Sequence, residues 1–311
     1  MIEKSDVRAA AARIAGHVRR TPVMESDAFG VPLWLKLEQT QHGGSFKARG
    51  AFNRLLLAAE RDGLPSAGVV TASGGNAGLG VAHAAARLGT PARVFLPRNA
   101  PAVKVEKLRA LGADVRPVGE KYADAQEAAL KDVADTGALL CHAYDQPEIA
   151  AGQGTIGLEL LEQTGGAFDT ALVVVGGGGL MAGIATALDG EAKVVAVEPE
   201  RCPTLHTALE LGERTTVAVS GVASDSLGAS EIGEIAFDVA RRTGVRSVLV
   251  PDEAIVEARR ALWERHRLVA EHGTAAALAA LLTGAYTPAA DERIAIVVCG
   301  ANTDPSDLVT R

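Results

Sequence analysis

Short apolar runs of strand length alternate with runs of helical length along most of the chain. The run Ala92–Leu96 predicts a strand, for example, and the stretch Asn76–Leu88 before it predicts a helix. Strands that alternate with helices of about 10–15 residues predict a mostly parallel sheet flanked by helices, because a parallel strand is reached only through a long crossover. This pattern predicts an α/β protein.

The alternation occurs in two series, which predicts two domains. One series, within residues 51–144, predicts a small domain, and the other, together with the N-terminal segment, predicts a large domain at 1–50 and 145–311. A cofactor is expected in the cleft at the carboxyl ends of the parallel strands, where α/β proteins bind their ligands.

The composition and charge argue against several classes of function. The formal net charge of −7 argues against a nucleic-acid surface, which needs a clustered basic face. No run approaches the roughly 20 apolar residues of a membrane-spanning helix, and the polar N-terminus is unlike a signal peptide. The three cysteines are widely separated and odd in number, which indicates a reducing compartment and neither a disulfide framework nor a zinc site. We therefore expect a cytoplasmic enzyme with no nucleic-acid or membrane partner.

The segment Gly43–Ala51 joins a strand-like run to a helix-like run and carries a lysine beside a large ring. Gly43 and Gly44 permit backbone conformations that other residues avoid, and Lys47 follows Phe46 at the start of the predicted helix. A lysine that is held at such a junction and partly desolvated loses its proton more readily, and its neutral amine can attack a carbonyl carbon. Taken alone, Lys47 would be interpreted as a solvated lysine, so its interpretation depends on the other motifs.

Two further strand-to-helix junctions are rich in small residues. Residues 71–78 place the Ser73 hydroxyl and bare backbone N–H groups at a helix start, which suits either a bound carboxylate or a capped turn. The run Gly176–Gly179 follows an apolar strand and precedes a helix. Successive glycine N–H groups at such a place can surround a phosphate.

The second glycine run also fits a dinucleotide site. Gly177, Gly179 and Ala182 match the Rossmann pattern of small residues. Glu198 lies about 20 residues further on, where a ribose-binding acid is expected. Spacing alone therefore leaves an NAD-dependent oxidoreductase open as an alternative.

The segment from Ser45 to Ala51, Ser-Phe-Lys-Ala-Arg-Gly-Ala, resembles the lysine motif of the serine/threonine dehydratase family. These are fold-type II pyridoxal-phosphate enzymes with a tryptophan synthase β-like fold, and the group includes threonine dehydratases, serine dehydratases and serine racemases. The resemblance extends from about Thr21 to Asn302. It implies that pyridoxal 5'-phosphate is bound covalently to Lys47 and that Phe46 packs beside the cofactor ring.

The same resemblance implies roles at the other motifs. In the family a Ser-x-Gly-Asn segment binds the substrate carboxylate and the phenolic oxygen of the cofactor, and these roles fall to Ser73 and Asn76. Cys299 matches the position beside the pyridine nitrogen. The implied phosphate site consists of Gly176, Gly177, Gly178 and Gly179, with Leu180 following them as in the relatives.

Gly74 and Ala77 depart from the family pattern, and Gly74 and Cys299 bear on the reaction. Gly74 stands where serine racemases of the family carry a serine acid/base, and glycine cannot transfer a proton. Ala77 replaces a histidine that many members have, so that contact is absent. A neutral thiol at Cys299 cannot hold a proton on the pyridine nitrogen as a carboxylate would, which disfavours a long-lived carbanion. Gly74 and Cys299 both predict loss of a β-hydroxyl group instead of racemisation.

The resemblance leaves the roles of two acidic residues, Glu198 and Glu271, open. In some members the glutamate that matches Glu198 binds a structural divalent cation together with an aspartate, and Thr204 replaces that aspartate here. We therefore expect no metal, with Glu198 as the one candidate ligand. Glu271 either matches a family glutamate near the cofactor ring or is a helix-start acid that the helix dipole stabilises.

Together these features predict dehydration and deamination of L-threonine or L-serine to a 2-oxo acid and ammonia, with Lys47 and Ser73 as catalytic residues. A serine racemase, a hydroxyaspartate dehydratase, the oxidoreductase and a non-catalytic binding protein of the same fold are the alternatives. The β-replacing enzymes of this fold typically read Ser-Val-Lys-Asp-Arg, unlike residues 45–49. The expected partners are a small hydroxy-amino-acid substrate and a second copy of the chain in a homodimer.

Overall fold

The chain forms two separate β-sheets with helices packed around them, as described for residues 1–308 in a computed structural model. Most strands lie in short apolar runs, as expected for sheets that are covered by helices, whereas the edge strand at Asp114–Pro117 is mostly exposed. In chain order they are β1 (Val23–Ser26), β2 (Leu33–Lys36), β3 (Val69–Ala72), β4 (Ala92–Leu96), β5 (Asp114–Pro117), β6 (Leu139–Leu140), β7 (Thr170–Val174), β8 (Lys193–Pro199), β9 (Arg246–Val250) and β10 (Ile294–Val297).

Helices connect most of these strands and supply the long crossovers that parallel pairing requires. Short 3-10 turns occur at Glu38–Thr40, His42–Gly44 and Ser306–Leu308. The α-helices are α1 (Lys4–Ile14), α2 (Lys47–Arg61), α3 (Asn76–Arg87), α4 (Ala102–Ala110), α5 (Tyr122–Thr136), α6 (Pro147–Thr164), α7 (Gly179–Leu188), α8 (Thr204–Leu211), α9 (Ser224–Leu227), α10 (Glu234–Thr243), α11 (Asp252–His266) and α12 (His272–Thr283). Among the helices of residues 1–308, none has the combined length and apolar character needed to cross a bilayer.

The larger sheet has six strands in the order β1-β2-β10-β7-β8-β9. Its neighbouring strands are parallel except for the pair β1 and β2. Strand β7 is buried at every position, since helices α7 and α12 pack on it. The carboxyl ends of β7 and β10 lead directly into the glycine run and into Cys299.

The smaller sheet has four strands in the order β5-β4-β3-β6, and all its neighbours are parallel. Strand β3 lies inside this sheet and is buried throughout. The carboxyl end of β3 leads into Ser73, and that of β6 leads into Cys141. A ligand is expected at this edge, because successive β-to-α loops of a parallel sheet converge there.

These observations confirm the predicted α/β class with two mostly parallel sheets flanked by helices. Strand β4 lies at the predicted positions, and helix α3 ends at Arg87, one residue before the predicted end. Strand β6 has only two residues, which is too short for a periodicity to be recognised, and it exists through its pairing with β3. The proposed domain division after residues 50 and 144 stays a prediction.

A buried group of four charged side chains joins the N-terminal segment to helices α2 and α6. Arg49 of α2 and Lys36 of β2 are both 0% exposed, as is Glu38. Arg49 Nη2 donates to Glu38 at 2.7 Å, and Arg49 Nη1 donates to Glu159 of α6 at 2.7 Å. Lys36 Nζ donates to the second Glu159 oxygen at 2.6 Å. The two positive and two negative charges balance, which is the condition under which buried charges are tolerated.

The planar guanidinium of Arg49 is suited to its place in this buried charge cluster. Its Nε atom donates to Glu38 at 2.8 Å, and its Nη2 atom also contacts Glu159 at 2.9 Å. Burial opposes the charge of Arg49, but Glu38 and Glu159 outweigh this effect and raise its pKa. A lysine would keep the charge but could not contact both carboxylates from one plane.

We predict that Arg49→Lys lowers the free energy of unfolding by about 3 kcal/mol, because it leaves buried carboxylate oxygens without donors. The measurement is urea unfolding at constant pH. Arg116→Lys is the matched control, since Arg116 pairs with Asp114 at 2.6 Å while both side chains are about half exposed. That control should change stability by less than about 0.5 kcal/mol. Equal losses in the two variants would contradict the proposed importance of the cluster.

Candidate active site

Lys47 is the first residue of α2, and its amine lies at the junction of the two sheets. Its Nζ atom donates to the Ala143 carbonyl oxygen at 2.6 Å and lies 5.0 Å from the centre of the Phe46 ring. Burial lowers the pKa of Lys47 to about 8, although nearby Cys299 and Glu271 act in the opposite direction. The neutral amine, which is the nucleophilic and basic form, is therefore far more abundant near neutral pH than for an ordinary lysine.

The segment before Lys47 is held by backbone pairing with the segment after β10. Phe46 N donates to Cys299 O at 3.0 Å, and Ala301 N donates to Gly44 O at 3.0 Å. Gly44 has a positive φ of 74°, and a Cβ atom there would lie 3.0 Å from the Asn302 side chain. Glycine is required at this position, and the pairing fixes Lys47 relative to Cys299.

Asn76, the first residue of α3, belongs to a side-chain network that crosses between the two sheets. Its Nδ2 atom lies 3.0 and 2.9 Å from the two carboxylate oxygens of Glu271. Asn302 donates from its backbone to Glu271 at 2.7 Å and from its side chain to Asn76 Oδ1 at 2.7 Å. The network fixes the orientation of the Asn76 amide, because both its oxygen and its nitrogen have partners.

Glu271 precedes α12, but its carboxylate makes no capping hydrogen bond to that helix. It is 6% exposed, and burial raises its pKa against the opposing effect of the Asn76 and Asn302 hydrogen bonds. The hydrogen-bond partners of its carboxylate are Asn76 and Asn302 and not the start of α12, and the expected position near the cofactor ring stays a prediction. Asn302 was not predicted as a site residue, although its place just after the last strand could have indicated it.

Cys299 follows β10 and is buried beside Thr274 of α12. Its Sγ atom lies 3.1 Å from Thr274 Oγ1, and the same hydroxyl contacts the backbone N and O of Gly300 at 3.1 and 3.0 Å. Burial raises the pKa of the Cys299 thiol to about 12. The thiol is therefore neutral at physiological pH and can take part only in uncharged hydrogen bonds.

Ser73 and its neighbours form the junction between β3 and α3. Residues 73–76 are partly exposed, whereas Ala72 before them and Ala77 after them are buried. The Ser73 hydroxyl accepts a hydrogen bond from Gly75 N at 3.3 Å. This junction presents a hydroxyl group and the N-terminus of a twelve-residue helix, an arrangement that favours a bound carboxylate.

The glycine run Gly176–Gly179 connects β7 to the start of α7, and Leu180 is the second residue of that helix. A Cβ atom on Gly177 would lie 2.3 Å from ring atoms of Tyr144, and one on Gly178 would lie 2.4 Å from Ala236 Cβ. Gly178 also has a positive φ of 84°. Side chains cannot be accommodated here, so backbone N–H groups are left bare at the helix N-terminus.

Comparison with known proteins identifies the family. Residues 14–300 match the family model described as pyridoxal-phosphate dependent enzyme. This chain belongs to the family of pyridoxal-phosphate dependent enzymes.

Individual members of the family align with nearly the whole chain. An L-threonine ammonia-lyase of Thermotoga maritima is 35% identical over 98% of this chain and 76% of its own length. A phenylserine dehydratase of Ralstonia pickettii is 37% identical over 94% of this chain and 91% of its own length. The solved structure of maize serine racemase superposes with a TM-score of 0.91 at 34% identity and covers 99% of this chain and 95% of that one.

The residues around the glycine run fit the phosphate of the family's cofactor. Gln153 of α6 is fully buried, and neither polar atom of its amide has a hydrogen-bond partner within residues 1–308. Its Oε1 atom lies 3.1 Å from the place where a Gly179 Cβ would stand. An unpaired buried amide is costly, and its position beside the bare N–H groups is consistent with a polar ligand at this helix end. The phosphate would be held by Gly176 to Gly179.

Glu198 does not fit the alternative role of binding a ribose. It is fully buried at the end of β8 and accepts hydrogen bonds from Leu205 N and His206 N, both at 2.8 Å. Ser247 Oγ donates to it at 2.7 Å, and Thr204 Oγ1 lies 3.2 Å away. These contacts occupy both carboxylate oxygens and tie β8 to α8 and β9. This removes the acid on which the NAD-dependent alternative relied.

The same contacts use the Glu198 oxygens that would otherwise be available to a metal ion. Within residues 1–308, no group of three or more His, Cys, Asp or Glu side chains is arranged to hold a metal ion. Thr204 Oγ1 instead donates to the Gly176 carbonyl oxygen at 2.7 Å. Thr204 therefore supports the glycine run through a hydrogen bond.

We predict that Lys47 reacts with a small aldehyde at lower pH than a surface lysine does, because only the neutral amine reacts. In cofactor-free protein, reductive methylation of Lys47 should reach half its maximal rate near pH 8. The exposed Lys131 is the internal control, since its hydrogen bond to Asp135 raises its pKa above the ordinary 10.5. Peptide mass spectrometry measures both sites in one sample. Identical pH profiles for the two lysines would show that burial does not activate Lys47.

Proposed function

We propose that this protein is a pyridoxal-phosphate dependent ammonia-lyase that converts L-threonine or L-serine to a 2-oxo acid and ammonia. The observation that carries the proposal is the buried Lys47 amine, whose pKa is lowered to about 8, on a segment whose backbone is hydrogen-bonded to that of Cys299. The threonine ammonia-lyase of Thermotoga maritima supports it, with 35% identity over 98% of the chain. The net reaction loses water from the substrate, and hydrolysis of the resulting enamine consumes one water and releases ammonia.

The cofactor supplies an electron-withdrawing ring that makes the α-proton of a bound amino acid acidic. Lys47 is proposed as the base that takes this proton, since burial sets its pKa near the operating pH. Ser73 and the N–H groups at the start of α3 would hold the substrate carboxylate. This arrangement orients the α-proton toward one base on one side of the substrate.

The remaining site residues are proposed to bind and tune the cofactor. Phe46 would pack beside its ring, and the Asn76 amide would donate to its phenolic oxygen. The glycine run and the first turn of α7, which includes Leu180, would hold its phosphate. The Cys299 thiol would face the pyridine nitrogen as a neutral partner, which favours prompt loss of the β-hydroxyl over a long-lived carbanion.

Replacement of Lys47 tests the proposal directly. Wild-type protein should release equal amounts of ammonia and 2-oxobutanoate from L-threonine, measured in one assay. We predict that Lys47→Ala lowers kcat/KM by about a thousandfold or more, because both the attachment point and the base are lost. Lys131→Ala, at an exposed lysine, should leave the rate unchanged. The proposal would be wrong if no borohydride-stable adduct forms on Lys47 and the K47A variant keeps its activity.

Serine racemisation is the second candidate, because a serine racemase superposes on this chain with a TM-score of 0.91. Gly74 argues against it, since glycine offers no acid to the second side of the substrate. A Cβ atom on Gly74 would lie 3.4 Å from Leu96 Cδ2 and 3.5 Å from Leu96 Cβ. These are ordinary van der Waals distances, so a serine could be accommodated there.

We predict that wild-type protein forms pyruvate and no D-serine from L-serine, whereas Gly74→Ser forms D-serine at least about tenfold above background. Gly74→Ala adds bulk without a proton donor and is the matched control. Chiral chromatography measures both products. Formation of D-serine by the wild type at a rate comparable to pyruvate would show that the second proton donor lies elsewhere.

We further propose that the protein acts in the cytoplasm as a homodimer, as the family resemblance implies. Three unpaired cysteines, Cys141, Cys202 and Cys299, support a reducing compartment. Light scattering coupled to size-exclusion chromatography measures the mass of the particle. A mass equal to the 32.0 kDa of one chain across micromolar concentrations would contradict the dimer.

A further inference from the structure

The chain leaves the smaller sheet after β6 and enters α6 through residues 142–145, which we call the crossover turn. The carbonyl oxygen of Ala143 in this turn accepts the hydrogen bond from Lys47 Nζ at 2.6 Å. The ring of Tyr144 lies against the glycine run, because its Cδ1 atom is 2.3 Å from the place where a Gly177 Cβ would stand. The turn therefore contacts both the reactive amine and the proposed phosphate site.

The side chain of His142 holds the crossover turn in shape. Its Nδ1 atom accepts hydrogen bonds from Asp145 N at 2.9 Å and from Tyr144 N at 3.3 Å. Its ring lies edge-to-face with the Tyr144 ring, with 4.7 Å between the two centres, and its backbone N donates to Gln146 Oε1 at 2.8 Å. Asparagine side chains stabilise tight turns through the same kind of contact, from a side-chain acceptor to backbone N–H groups further along the chain. The His142 imidazole is the acceptor around which this turn forms.

These hydrogen bonds fix the protonation state of His142. Two N–H groups point at Nδ1, so this atom must present its lone pair and the proton must be on Nε2. In a charged imidazolium both ring nitrogens carry protons, and Nδ1 could accept neither hydrogen bond. The turn therefore keeps this conformation only while His142 is neutral.

The surroundings of His142 favour its neutral form. Burial lowers its pKa below the ordinary 6.5, and the positive charge of Lys47 acts in the same direction, whereas Asp145 opposes both. Tyr122 of α5 and Cys141 line the same small cavity as His142. Burial of the Cys141 thiol and partial burial of the Tyr122 phenol raise the pKa of each to about 12. Both groups are therefore uncharged near neutral pH, and Lys47 and Asp145 supply the charges that act on the imidazole.

We propose that His142 is a positioning residue whose neutral imidazole holds the crossover turn in the conformation that serves both parts of the site. Through this turn the Ala143 carbonyl oxygen meets the Lys47 amine. Through the same turn the Tyr144 ring meets Gly177. The inference rests on the proposed function, because both contacts matter to the reaction only if Lys47 and the glycine run hold the cofactor.

Replacement of His142 tests the proposal through the affinity of cofactor-free protein for pyridoxal 5'-phosphate, measured by visible absorption. His142→Leu keeps the bulk but removes the acceptor. It should weaken binding at least about tenfold, because two N–H groups lose their partner. His142→Asn restores an acceptor near the place of Nδ1 and should bind within about threefold of wild type. His17→Leu, at an exposed histidine outside the site, is the matched control and should bind as wild type does.

The protonation state of His142 can be measured in the wild-type protein. The nitrogen-15 shifts of labelled histidine side chains report which ring nitrogen carries the proton, and the signal that is absent from His142→Asn belongs to His142. We expect a proton on Nε2 and none on Nδ1 at about pH 7.5. A proton on Nδ1 at that pH would overturn the proposal, even if His142→Leu did not fold.

The pH dependence of cofactor binding links these two measurements. As acid converts the His142 signal to its doubly protonated form, the wild-type affinity should fall, whereas His142→Asn should lack this component of the loss. The comparison cancels the titration of Lys47 and of the cofactor phosphate, which both proteins share. Because the pKa of His142 is lowered, the loss should occur below its ordinary 6.5. Conversion of the signal with no difference in affinity between the two proteins would overturn the proposal.

The outcomes separate this inference from the proposed function. Suppose that the wild type binds pyridoxal 5'-phosphate and releases ammonia from L-threonine, while His142→Leu binds the cofactor equally well. That result would overturn the role of His142 and leave the lyase intact, as would equal losses of affinity in His142→Leu and His142→Asn. Wild-type protein that binds no pyridoxal 5'-phosphate would overturn the proposed function, and the nitrogen-15 shifts would still test the turn.

Discussion

The buried pairing of Arg49 with Glu38 and Glu159 is the interaction on which the rest of the structure depends. It joins α2 and α6 to the segment after β2, and Lys36 adds a second positive charge to Glu159. Removing charged groups from water is costly, and the cost is recovered only when every charge has a close partner. Because Arg49 is two residues after Lys47, the geometry that satisfies the cluster also fixes the start of the helix that carries the reactive amine.

Burial has a second consequence at the site itself, where it shifts ionisable groups toward their neutral forms. It lowers the pKa of Lys47 to about 8 and raises that of Cys299 to about 12. The pKa of Glu271 is also raised, while its hydrogen bonds to Asn76 and Asn302 hold it in place. An amine that loses its proton more easily than an ordinary lysine, in a site with a neutral thiol, suits proton abstraction followed by elimination.

The elements that the sequence predicted best are those with a continuous, mostly apolar run or strong local chemistry. Strand β4 and the glycine run before α7 are recognisable because their signals lie within a few neighbouring residues. Strand β6 was not predicted, since its two residues are in a sheet only through pairing with β3. Glu198 shows the same limit at the site: its spacing from the glycine run matched a ribose-binding acid, but tertiary contacts with α8 and Ser247 occupy its oxygens.

The sequence by itself determined the alternation of strands and helices, the lysine at a strand-to-helix junction and the resemblance to pyridoxal-phosphate enzymes, because each depends on residues close together in the chain. Only the tertiary structure decided that Asn302 and Glu271 orient Asn76. These groups are far apart in sequence, and their approach is set by how two sheets and their helices pack. Local sequence patterns do not predict that packing, because it depends on the shapes and charges of many side chains that are distant in the chain.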